Sequence, residues 1–468
     1  MTTPHIIQSN SIDHWYYLNQ GNKSITYTYN TNSTIIHHEP NKYNNKVLKL
    51  NKDIIHRLST HSISYSDAYQ SLSDDIIYYK QLYQLIHQNP IDGIELCIIE
   101  CSLAKQLLTK CTTNIDVTQL NNITRVIPVI LMNDATVVHG ITTNNNIKNT
   151  LCIELKPKWL NVQPYDDLPI PMRNTDTAVC RYCMHHHYKQ YHNNNDNRSI
   201  NRAINYCPIM LLSDDHAVIE KAIHQLLQSD THNNLHMFIR DQNRNILHSK
   251  HAQLINDMIQ SQLQYNDDQT KHGDIVSCVL TQLLCDKSSR LSQVLGRIRL
   301  IQHCFTCCSL YTLNKLYNQY YHNSHQLDNI NQIQQSDIDL IQRVNQRSHF
   351  HHECNKHRWQ YSNDITGSHH TMAQSDPMEY NEYEGSDIVR RYMIAKTCMD
   401  LSIMITIHFE HSDNTSNNII VNDLNRSLQY NYTVQCIDLD RKSIDKIPYY
   451  LQQNNDIINC FINKFELI

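Results

Sequence analysis

Apolar residues recur with two different periods along the chain, and these periods predict strands towards both ends and helices between them. Alternation and short apolar runs predict strands over 12–30 (a pair with a turn at Gly21), 47–50, 125–132, 150–158, 400–409 and 432–439. Spacings of three and four residues predict helices over 67–90, 101–111, 216–227, 275–286, 289–321 and 387–398, followed by a helical tail. Because strands flank a helical middle, we expect an α+β protein with two lobes.

Two polar stretches interrupt this pattern. Residues 190–205 and about 323–385 are rich in Asn, His and Gln and show little apolar periodicity, so both are expected to be insertions. No run approaches the ~18 uninterrupted apolar residues of a membrane helix, and the N-terminus lacks the basic and apolar regions of a secretory signal. We therefore expect no membrane association.

The overall composition limits the classes of function. Forty Lys and Arg against 45 Asp and Glu give a net charge of −5, which argues against a protein that coats nucleic acid. Sixteen cysteines without a secretory signal indicate reduced thiols in the cytosol or nucleus. With only 7 glycines, the chain contains neither G-x-G-x-x-G nor G-x-x-x-x-G-K-[ST], so any phosphate binding falls mainly to side chains.

The predicted strand 150–158 carries charged residues on one side. Period-two geometry places Cys152, Glu154, Lys156 and Lys158 on the same face. Such a face would hold charged side chains next to the core, where they could bind a ligand. The alternative is that this face of the strand is simply exposed to solvent. Since Pro157 has no amide proton, strand pairing is expected to end here.

The segment CRYCMHHHYK, residues 180–189, combines a C-x-x-C pair with three histidines, which suggests zinc. The histidines follow too closely for the usual set of two cysteines and two histidines, and no second C-x-x-C lies nearby. Another C-x-x-C pair, Cys304 and Cys307, lies in an apolar helical pattern, where cysteine is usually a small core residue. Zinc is therefore not favoured, and a His/Cys-rich, zinc-stabilised scaffold is kept as an alternative class.

Carboxylates at the ends of two apolar runs suggest a metal or proton-transfer site. Asp400 is predicted to begin the strand 400–409, where a carboxylate is costly unless it is paired, hydrogen-bonded or bound to a metal. Asp438 and Asp440 follow the strand 432–439, at the kind of position where kinases hold Mg²⁺ and the attacking hydroxyl.

Three residues that could bind anions follow these carboxylates. Lys442, Lys446 and Tyr450 recur at four-residue steps, which would align them on one helical face. Pro448 argues against a single unbroken helix, and a solvated helix face is the alternative.

Taken together, these segments resemble the inositol-pentakisphosphate 2-kinase family. Five family boxes occur in order, namely E-I-K-P-K as ELKPK (154–158), R-F-x-M-H-Q-x-x-K as RYCMHHHYK (181–189), Q-N-N-x-R-x-F as HNNLHMF (232–238), A-T-A-K-D-C-S-I-M-I as AKTCMDLSIMI (395–405), and D-L-x-x-K-P-x-x-[KR] at 438–446. The resemblance runs from residue 15 to about residue 459. Any one box is weak, but five in the same order are specific.

The resemblance implies ATP and Mg²⁺ as cofactors. The residues that it places at the nucleotide are Gly21, Asn22, Lys23 and Ser24 in a short loop, Lys49 on the next strand, Asn133 and Asp134 at the adenine hinge, and Glu154 near the nucleoside. Lys156 and His236 would face the ATP phosphates, with His236 standing where the family has an arginine. Asp400 would be the catalytic base and Asp438 a Mg²⁺ ligand.

The substrate implied by the resemblance is inositol pentakisphosphate, which is phosphorylated to inositol hexakisphosphate. The residues that would clamp its phosphates are Lys158, Lys189, Asn233, Asn234, Lys442, Lys446 and Tyr450, with Arg125 as the candidate for an upstream arginine of the family. A set of lysines and amides suits this ligand, because lysine supplies charge and the amides supply direction.

The resemblance further implies a two-lobed, distantly protein-kinase-like fold of the fungal type, with an N-lobe over 1–155 and a C-lobe over 156–468. A monomer without direct nucleic-acid contact is expected, in the nucleus or cytoplasm. The zinc-binding C-x-x-C of plant members is missing, since only Cys354 stands among scattered histidines in that region. Because His236 and Met399 depart from the family boxes, an inositol-phosphate-binding pseudokinase is a further alternative.

Overall fold

A computed structural model describes most of the chain. It leaves out residues 1–4, 8–14, 21–23, 30–42, 44, 111–122, 124–125, 137–149, 162–179, 194–205, 229–233, 241–245, 250–274, 307, 322–331, 347–384, 411–428 and 466–468. The chain divides into two compact units. The first contains Met1–Gln84, Gln88–Lys148 and Arg240–Ile246, and the second contains Leu85–His87, Asn149–Ile239 and Leu247–Ile468.

The first unit is built around a six-stranded sheet. Its strands are β1 His5–Ile7, β2 Trp15–Gln20, β3 Ser24–Tyr29, β4 Lys46–Asn51, β5 Glu95–Glu100 and β6 Val126–Asn133, in the order β1-β5-β6-β4-β3-β2. Its helices are α1 Lys52–Ser59, α2 Tyr65–His87 and α3 Cys101–Thr109. Only the pairing of β1 with β5 is parallel, and the other described pairings are antiparallel.

Alternating side chains of this sheet form the core of the first unit. Ile25 and Tyr27 on β3 are fully buried, and the Tyr27 hydroxyl donates a hydrogen bond of 2.8 Å to the Leu107 carbonyl on α3. Helix α1 follows β4 without a loop. The Asn51 side chain caps the start of this helix, because its oxygen accepts hydrogen bonds from the backbone amides of Asp53 and Ile54. The strands predicted within 12–30, 47–50 and 125–132 are confirmed by β2, β3, β4 and β6, whereas β1 and β5 were not predicted, and the turn predicted at Gly21 lies outside the described residues.

The second unit contains a five-stranded antiparallel sheet and most of the helices. Its strands are β7 Thr150–Leu155, β8 Leu235–Arg240, β9 Ile246–Ser249, β10 Ser402–Glu410 and β11 Gln429–Ile437, in the order β11-β10-β7-β8-β9. Its helices are α4 Arg181–Asn193, α5 His216–Gln228, α6 Ile275–Cys285, α7 Arg290–Phe305, α8 Leu310–Tyr320, α9 Gln335–Gln346, α10 Gly385–Asp400 and α11 Ile447–Phe465. The predicted α+β class is confirmed. Among the described residues, no helix combines the length and apolar character that a membrane crossing needs.

Strand β7 lies inside the second sheet. It pairs with β10 on one side and with β8 on the other, so Glu154 faces Met404 and His236 across the two ladders. The resemblance placed this strand in the first lobe, yet its hydrogen bonds tie it to the second unit. The strand predicted over 150–158 ends at Leu155, so Lys156 and Lys158 lie beyond it and not on its charged face. The expected end of pairing near Pro157 is confirmed, because Pro157 has no amide to donate.

Two of the predicted element boundaries are wrong. The helix predicted over 289–321 is two helices, α7 and α8, and each begins after a serine whose hydroxyl caps it, Ser289 and Ser309. The strand predicted to begin at Asp400 begins at Ser402, since α10 continues through Asp400.

Two further predictions about local structure also need correction. Lys442, Lys446 and Tyr450 do not share one helical face, because α11 begins only at Ile447 and Pro448 lies in its first turn, where proline is tolerated. The second insertion predicted over 323–385 contains an ordered helix, α9.

Helix α9 is anchored by a buried ion cluster. Asp337 is fully buried and accepts hydrogen bonds from the two terminal nitrogens of the Arg390 guanidinium, and from Arg391 Nε at 2.7 Å. Asp387 adds a contact of 3.1 Å to Arg390. Burial alone would raise the pKa of Asp337, but the hydrogen bonds and charge of Arg390 outweigh it and hold that pKa below its ordinary value.

We expect Asp337→Ala to lower the free energy of unfolding by about 3–5 kcal/mol, because it leaves two guanidinium groups buried without their shared carboxylate. Since the pKa of Asp337 is lower in the folded state, the contribution is present above the unfolded pKa and is lost as the pH falls through the folded pKa. Urea denaturation at neutral and acid pH measures both effects. Asp339→Ala, an exposed position on the same helix, is the control, and an equal loss in both variants would contradict the assignment.

Candidate active site

Three strand ends meet at one edge of the second sheet. Ser402 begins β10 opposite Ile437, the last residue of β11, and Ile403 pairs with Leu155, the last residue of β7. The chain segments that leave this edge carry most of the charged residues singled out from the sequence. The candidate site is therefore a product of strand register, which brings together residues up to about 290 positions apart.

Two carboxylates share a serine hydroxyl at this edge. Ser402 Oγ lies 2.6 Å from Glu154 Oε1 and 3.3 Å from Asp438 Oδ2. Because a hydroxyl has a single proton, Ser402 can donate to only one of the two at a time. Carboxylate and hydroxyl oxygens in such proximity form a donor set suited to a hard divalent cation such as Mg²⁺.

Lysine ammonium groups surround the Asp400 carboxylate. Lys442 Nζ lies 3.0 Å from its Oδ2, and Lys158 Nζ lies 3.9 Å from its Oδ1. Burial would raise the pKa of Asp400, but the charges of Lys396, Lys442 and Lys158 outweigh burial and hold that pKa below its ordinary value. The side chain keeps 40% of its surface exposed, so the ionised oxygens are open to a ligand.

Lys396 is a member of this cluster that the sequence analysis did not assign. It lies one turn before Asp400 on α10, and its ammonium is 4.6 Å from the centre of the Tyr450 ring and 5.9 Å from that of Trp159. Burial lowers the pKa of Lys396 to about 8, although Asp400 acts in the opposite direction. The four-residue spacing from Asp400 was the available sequence signal.

The Lys158 ammonium lies in a field of like charges. Burial lowers the pKa of Lys158, as do the ammonium groups of Lys156, Lys189 and Lys442, while Asp400 opposes them. Lys189 is exposed on α4 and Lys156 is half-buried, with its Nζ 3.4 Å from Glu154. A cluster of this kind binds a polyanion, because like charges held close together are relieved by an anionic ligand.

The backbone is left-handed at two charged positions of the site. Lys158 has φ of 53° and Asp438 has φ of 60°, a region that residues other than glycine rarely adopt. The fully buried Gln302 side chain holds the first of these turns, since its amide donates to the Lys158 carbonyl at 2.8 Å and its oxygen accepts from Leu160 N at 2.8 Å. Such strain persists where the surroundings enforce it, and it is concentrated at functional sites. Gln302 was missed from the sequence because glutamine in a helix carries no local signal.

Other predicted substrate residues lie on elements around this edge. Tyr450 is buried, and burial together with the charge of Asp400 raises its pKa to about 12. Lys446 is exposed in a short 3-10 turn, Ile444–Lys446. Asn234 is buried and its side-chain amide donates to the Tyr182 hydroxyl of α4, while its carbonyl accepts from Lys156 N at 2.8 Å.

The residues predicted at the nucleotide belong mostly to the first unit. Asp134 is buried and accepts from the Thr28 hydroxyl and from the amide and hydroxyl of Thr136, which fixes the turn after β6. Asn133 accepts from Lys46 Nζ at 2.7 Å.

The remaining predicted residues are divided between the two units or lie outside the description. Ser24 begins β3 and Lys49 lies half-buried on β4. His236 lies half-buried on β8 of the second unit, beside Glu154. Outside the described residues lie Gly21, Asn22, Lys23, Arg125 and Asn233.

Comparison with known proteins assigns the chain to a family. The sequence model of the inositol-pentakisphosphate 2-kinase family matches residues 17–456 of this chain. Two curated relatives, each named inositol-pentakisphosphate 2-kinase IPK1, come from Oryza sativa subsp. indica and Oryza sativa subsp. japonica. Each is 29% identical over 101 residues, which cover 21% of this chain and 21% of the relative. The aligned part therefore spans about a fifth of those relatives, whereas the family match spans nearly the whole sequence. The chain belongs to the inositol-pentakisphosphate 2-kinase family.

Proposed function

We propose that this protein transfers the γ-phosphoryl group of ATP to the 2-hydroxyl of inositol 1,3,4,5,6-pentakisphosphate, giving inositol hexakisphosphate. The observation that carries this proposal is an accessible carboxylate, Asp400, held among the ammonium groups of Lys158, Lys396 and Lys442. A polyanionic alcohol needs both features at the same place, because its phosphates require cations and its hydroxyl requires a proton acceptor. Family membership supports this assignment.

Asp400 is proposed as the acceptor of the proton from the attacking hydroxyl. Since its pKa lies below the ordinary value, it is ionised at neutral pH and available as a base. A weak base suffices in phosphoryl transfer, because positioning and charge neutralisation dominate catalysis and the proton moves late. The lysines that lower this pKa also orient the carboxylate.

The lysine cluster is proposed to bind the phosphates of the substrate. Lys158 and Lys442 contact Asp400 directly, so phosphates bound to them would lie beside the attacking hydroxyl. Lys189 and Lys446 are exposed at the border of the cluster and extend the basic surface. The buried Tyr450 ring supports Lys396, since the ammonium lies 4.6 Å from the ring centre.

Mg²⁺ is proposed to bind at Asp438 together with Glu154. One carboxylate oxygen of each residue lies within 3.3 Å of the Ser402 hydroxyl. When bound, the ion neutralises charge on the ATP phosphates. Lys156, which lies 3.4 Å from Glu154, is proposed to face the same phosphates. His236, across the ladder from Glu154, would donate a hydrogen bond where the family has an arginine, which is a weaker anion contact.

The remaining nucleotide contacts are proposed from the resemblance. They comprise the loop at 21–24, Lys49 on β4, and the turn after β6 at Asn133 and Asp134. The hydrogen bonds from Thr28 and Thr136 occupy the Asp134 side chain, and its amide donates to the Asn45 carbonyl at 2.9 Å, so its contribution to adenine binding would come through its backbone carbonyl.

The first test replaces the proposed base. Asp400→Asn should lower kcat by about 100-fold or more, the usual range for removal of a general base, while the affinity for inositol pentakisphosphate is retained. Transfer of radiolabelled phosphate from ATP to inositol pentakisphosphate measures kcat, and calorimetry measures binding. The exposed Asp53→Asn in the first unit is the control. If Asp400→Asn is nearly as active as the original protein, Asp400 is not the catalytic base. If the original protein binds inositol pentakisphosphate but does not turn it over, the protein is a pseudokinase.

The second test removes one phosphate ligand. Lys158→Asn deletes the charge but retains a residue that tolerates the left-handed backbone found at this position. We expect KM for inositol pentakisphosphate to rise by about 10-fold to 100-fold, since a hydrogen bond to a charged group contributes about 1.5–3 kcal/mol. KM for ATP should change much less. Lys287→Asn, at an exposed ion pair, is the control, and equal changes for both substrates would argue against a phosphate-binding role for Lys158.

The third test uses pH. Because the pKa of Lys396 is about 8, its positive charge is present below that pH and is lost as the pH rises through it. KM for inositol pentakisphosphate should therefore rise between about pH 7 and about pH 9 in the original protein. Lys396→Arg should keep a low KM across this interval, since arginine stays charged, and Lys396→Met should show a high KM throughout.

The phosphates of the substrate also titrate in this pH range. Their effect on KM is the same for the original protein, Lys396→Arg and Lys396→Met, so it cancels when the three pH profiles are compared. An identical rise in the original protein and in Lys396→Met would mean that another group titrates.

A further inference from the structure

Three thiols meet at the start of α4, away from the carboxylates and lysines described above. Cys180 directly precedes the helix, Cys183 lies in its first turn, and Cys207 precedes the 3-10 helix Pro208–Leu212. Cys180 Sγ lies 3.2 Å from Cys183 Sγ and 3.4 Å from Cys207 Sγ, and the three sulfur atoms all lie within 4.8 Å of one another. Among the residues that the structure describes, no other group of three or more His, Cys, Asp or Glu side chains comes together in this way.

The spacing of the sulfur atoms fits a single metal ion. A zinc–sulfur bond is about 2.3 Å long, so two thiolates of a tetrahedral site lie about 3.8 Å apart. The sulfurs of this cluster need to move by less than about 1 Å to reach that separation. Thiols make only weak hydrogen bonds with one another, so packing alone gives little reason for three of them to converge from two chain segments.

The backbone at the start of α4 favours thiolates. The Cys183 amide donates to Cys180 Sγ at 3.3 Å, and the positive end of the helix dipole lies at this pair of cysteines. All three thiols of the cluster are buried, although the Cys183 residue as a whole is half-buried.

We propose that Cys180, Cys183 and Cys207 bind one Zn²⁺ ion as thiolates, with a water molecule as the fourth ligand. Sulfur ligands exclude Mg²⁺ and Ca²⁺, and they select thiophilic ions. The site differs from the pattern in the sequence, because the third protein ligand is Cys207 and not one of the histidines at 185–187.

The ion would join the first turn of α4 to a segment that is distant in sequence. Helix α4 ends at Asn193 and the described chain resumes at Tyr206, so the ion would connect the start of α4 to the residues that follow this interval. Binding would stabilise the folded state, because the unfolded chain does not hold three thiolates together.

The same helix connects the thiol cluster to the proposed phosphate site. Tyr182, between the two cysteines, accepts a hydrogen bond from the Asn234 side chain, and the Asn234 carbonyl accepts from Lys156 N at 2.8 Å. Lys189 lies on the same helix. Zinc at the cluster would therefore help to position α4 beside the proposed phosphate site. This consequence rests on the proposed function, but the zinc binding itself is independent of that function.

The test measures metal in the full-length chain, purified under reducing conditions without a histidine tag. Elemental analysis should find about one zinc per chain. Cys180→Ala should lose that zinc, and the control Cys97→Ala, which removes an equally buried thiol from β5, should keep it. Absence of zinc from the original protein, or its retention in Cys180→Ala, would overturn the proposal.

A second measurement needs no variant, and it decides the matter if Cys180→Ala does not fold. Replacement of zinc by Co²⁺ should produce strong thiolate-to-cobalt absorption in the near ultraviolet. Zinc without this absorption would place the ion on histidines elsewhere in the chain and overturn the proposal. Copper in place of zinc, or a disulfide between Cys180 and Cys183 found by mass spectrometry of unreduced protein, would overturn it as well. These outcomes are independent of kinase activity, so failure of one proposal does not imply failure of the other.

Discussion

The pairing of β10 with its two neighbours is the constraint on which the candidate site depends. Because Ser402 pairs with Ile437 and Ile403 with Leu155, β7 and β11 end where β10 begins. A shift by one residue would turn the side chains of a strand to the opposite face and separate Glu154 from Ser402. Residues 402–409 of β10 are all buried, so the strand packs on both of its faces.

The candidate site concentrates unfavourable interactions that a ligand would relieve. Burial, together with neighbouring positive charges, lowers the pKa of Lys158 and Lys396, and two residues adopt left-handed backbone that costs about 1–3 kcal/mol each. Asp400 offsets Lys158, Lys396 and Lys442, and Glu154 lies 3.4 Å from Lys156. A polyanion would replace this incomplete balance with direct phosphate contacts, so the same features that reduce stability favour binding.

Local pattern predicted some parts of this structure and failed at others for identifiable reasons. The end of β7 was predictable because Pro157 removes a ladder donor. The end of α10 was not, because apolar residues stand on both sides of Asp400 and such a run is compatible with a buried helix or a buried strand. Lys396 was overlooked for the same reason, since its relation to Asp400 depends on helix continuing to that residue. Cys207 was not recognised as a neighbour of Cys180 because 27 residues separate them.

The chemical groups of this protein could be read from its amino-acid sequence: few glycines, lysines in place of a glycine loop, and carboxylates after apolar runs. The α+β class could be read there too, because periodicity is a local property of the chain. Which of these groups meet depends on the tertiary fold, since Glu154, Ser402 and Asp438 become neighbours through strand pairing across the chain. It also set their protonation, because a pKa depends on burial and on charges distant in sequence.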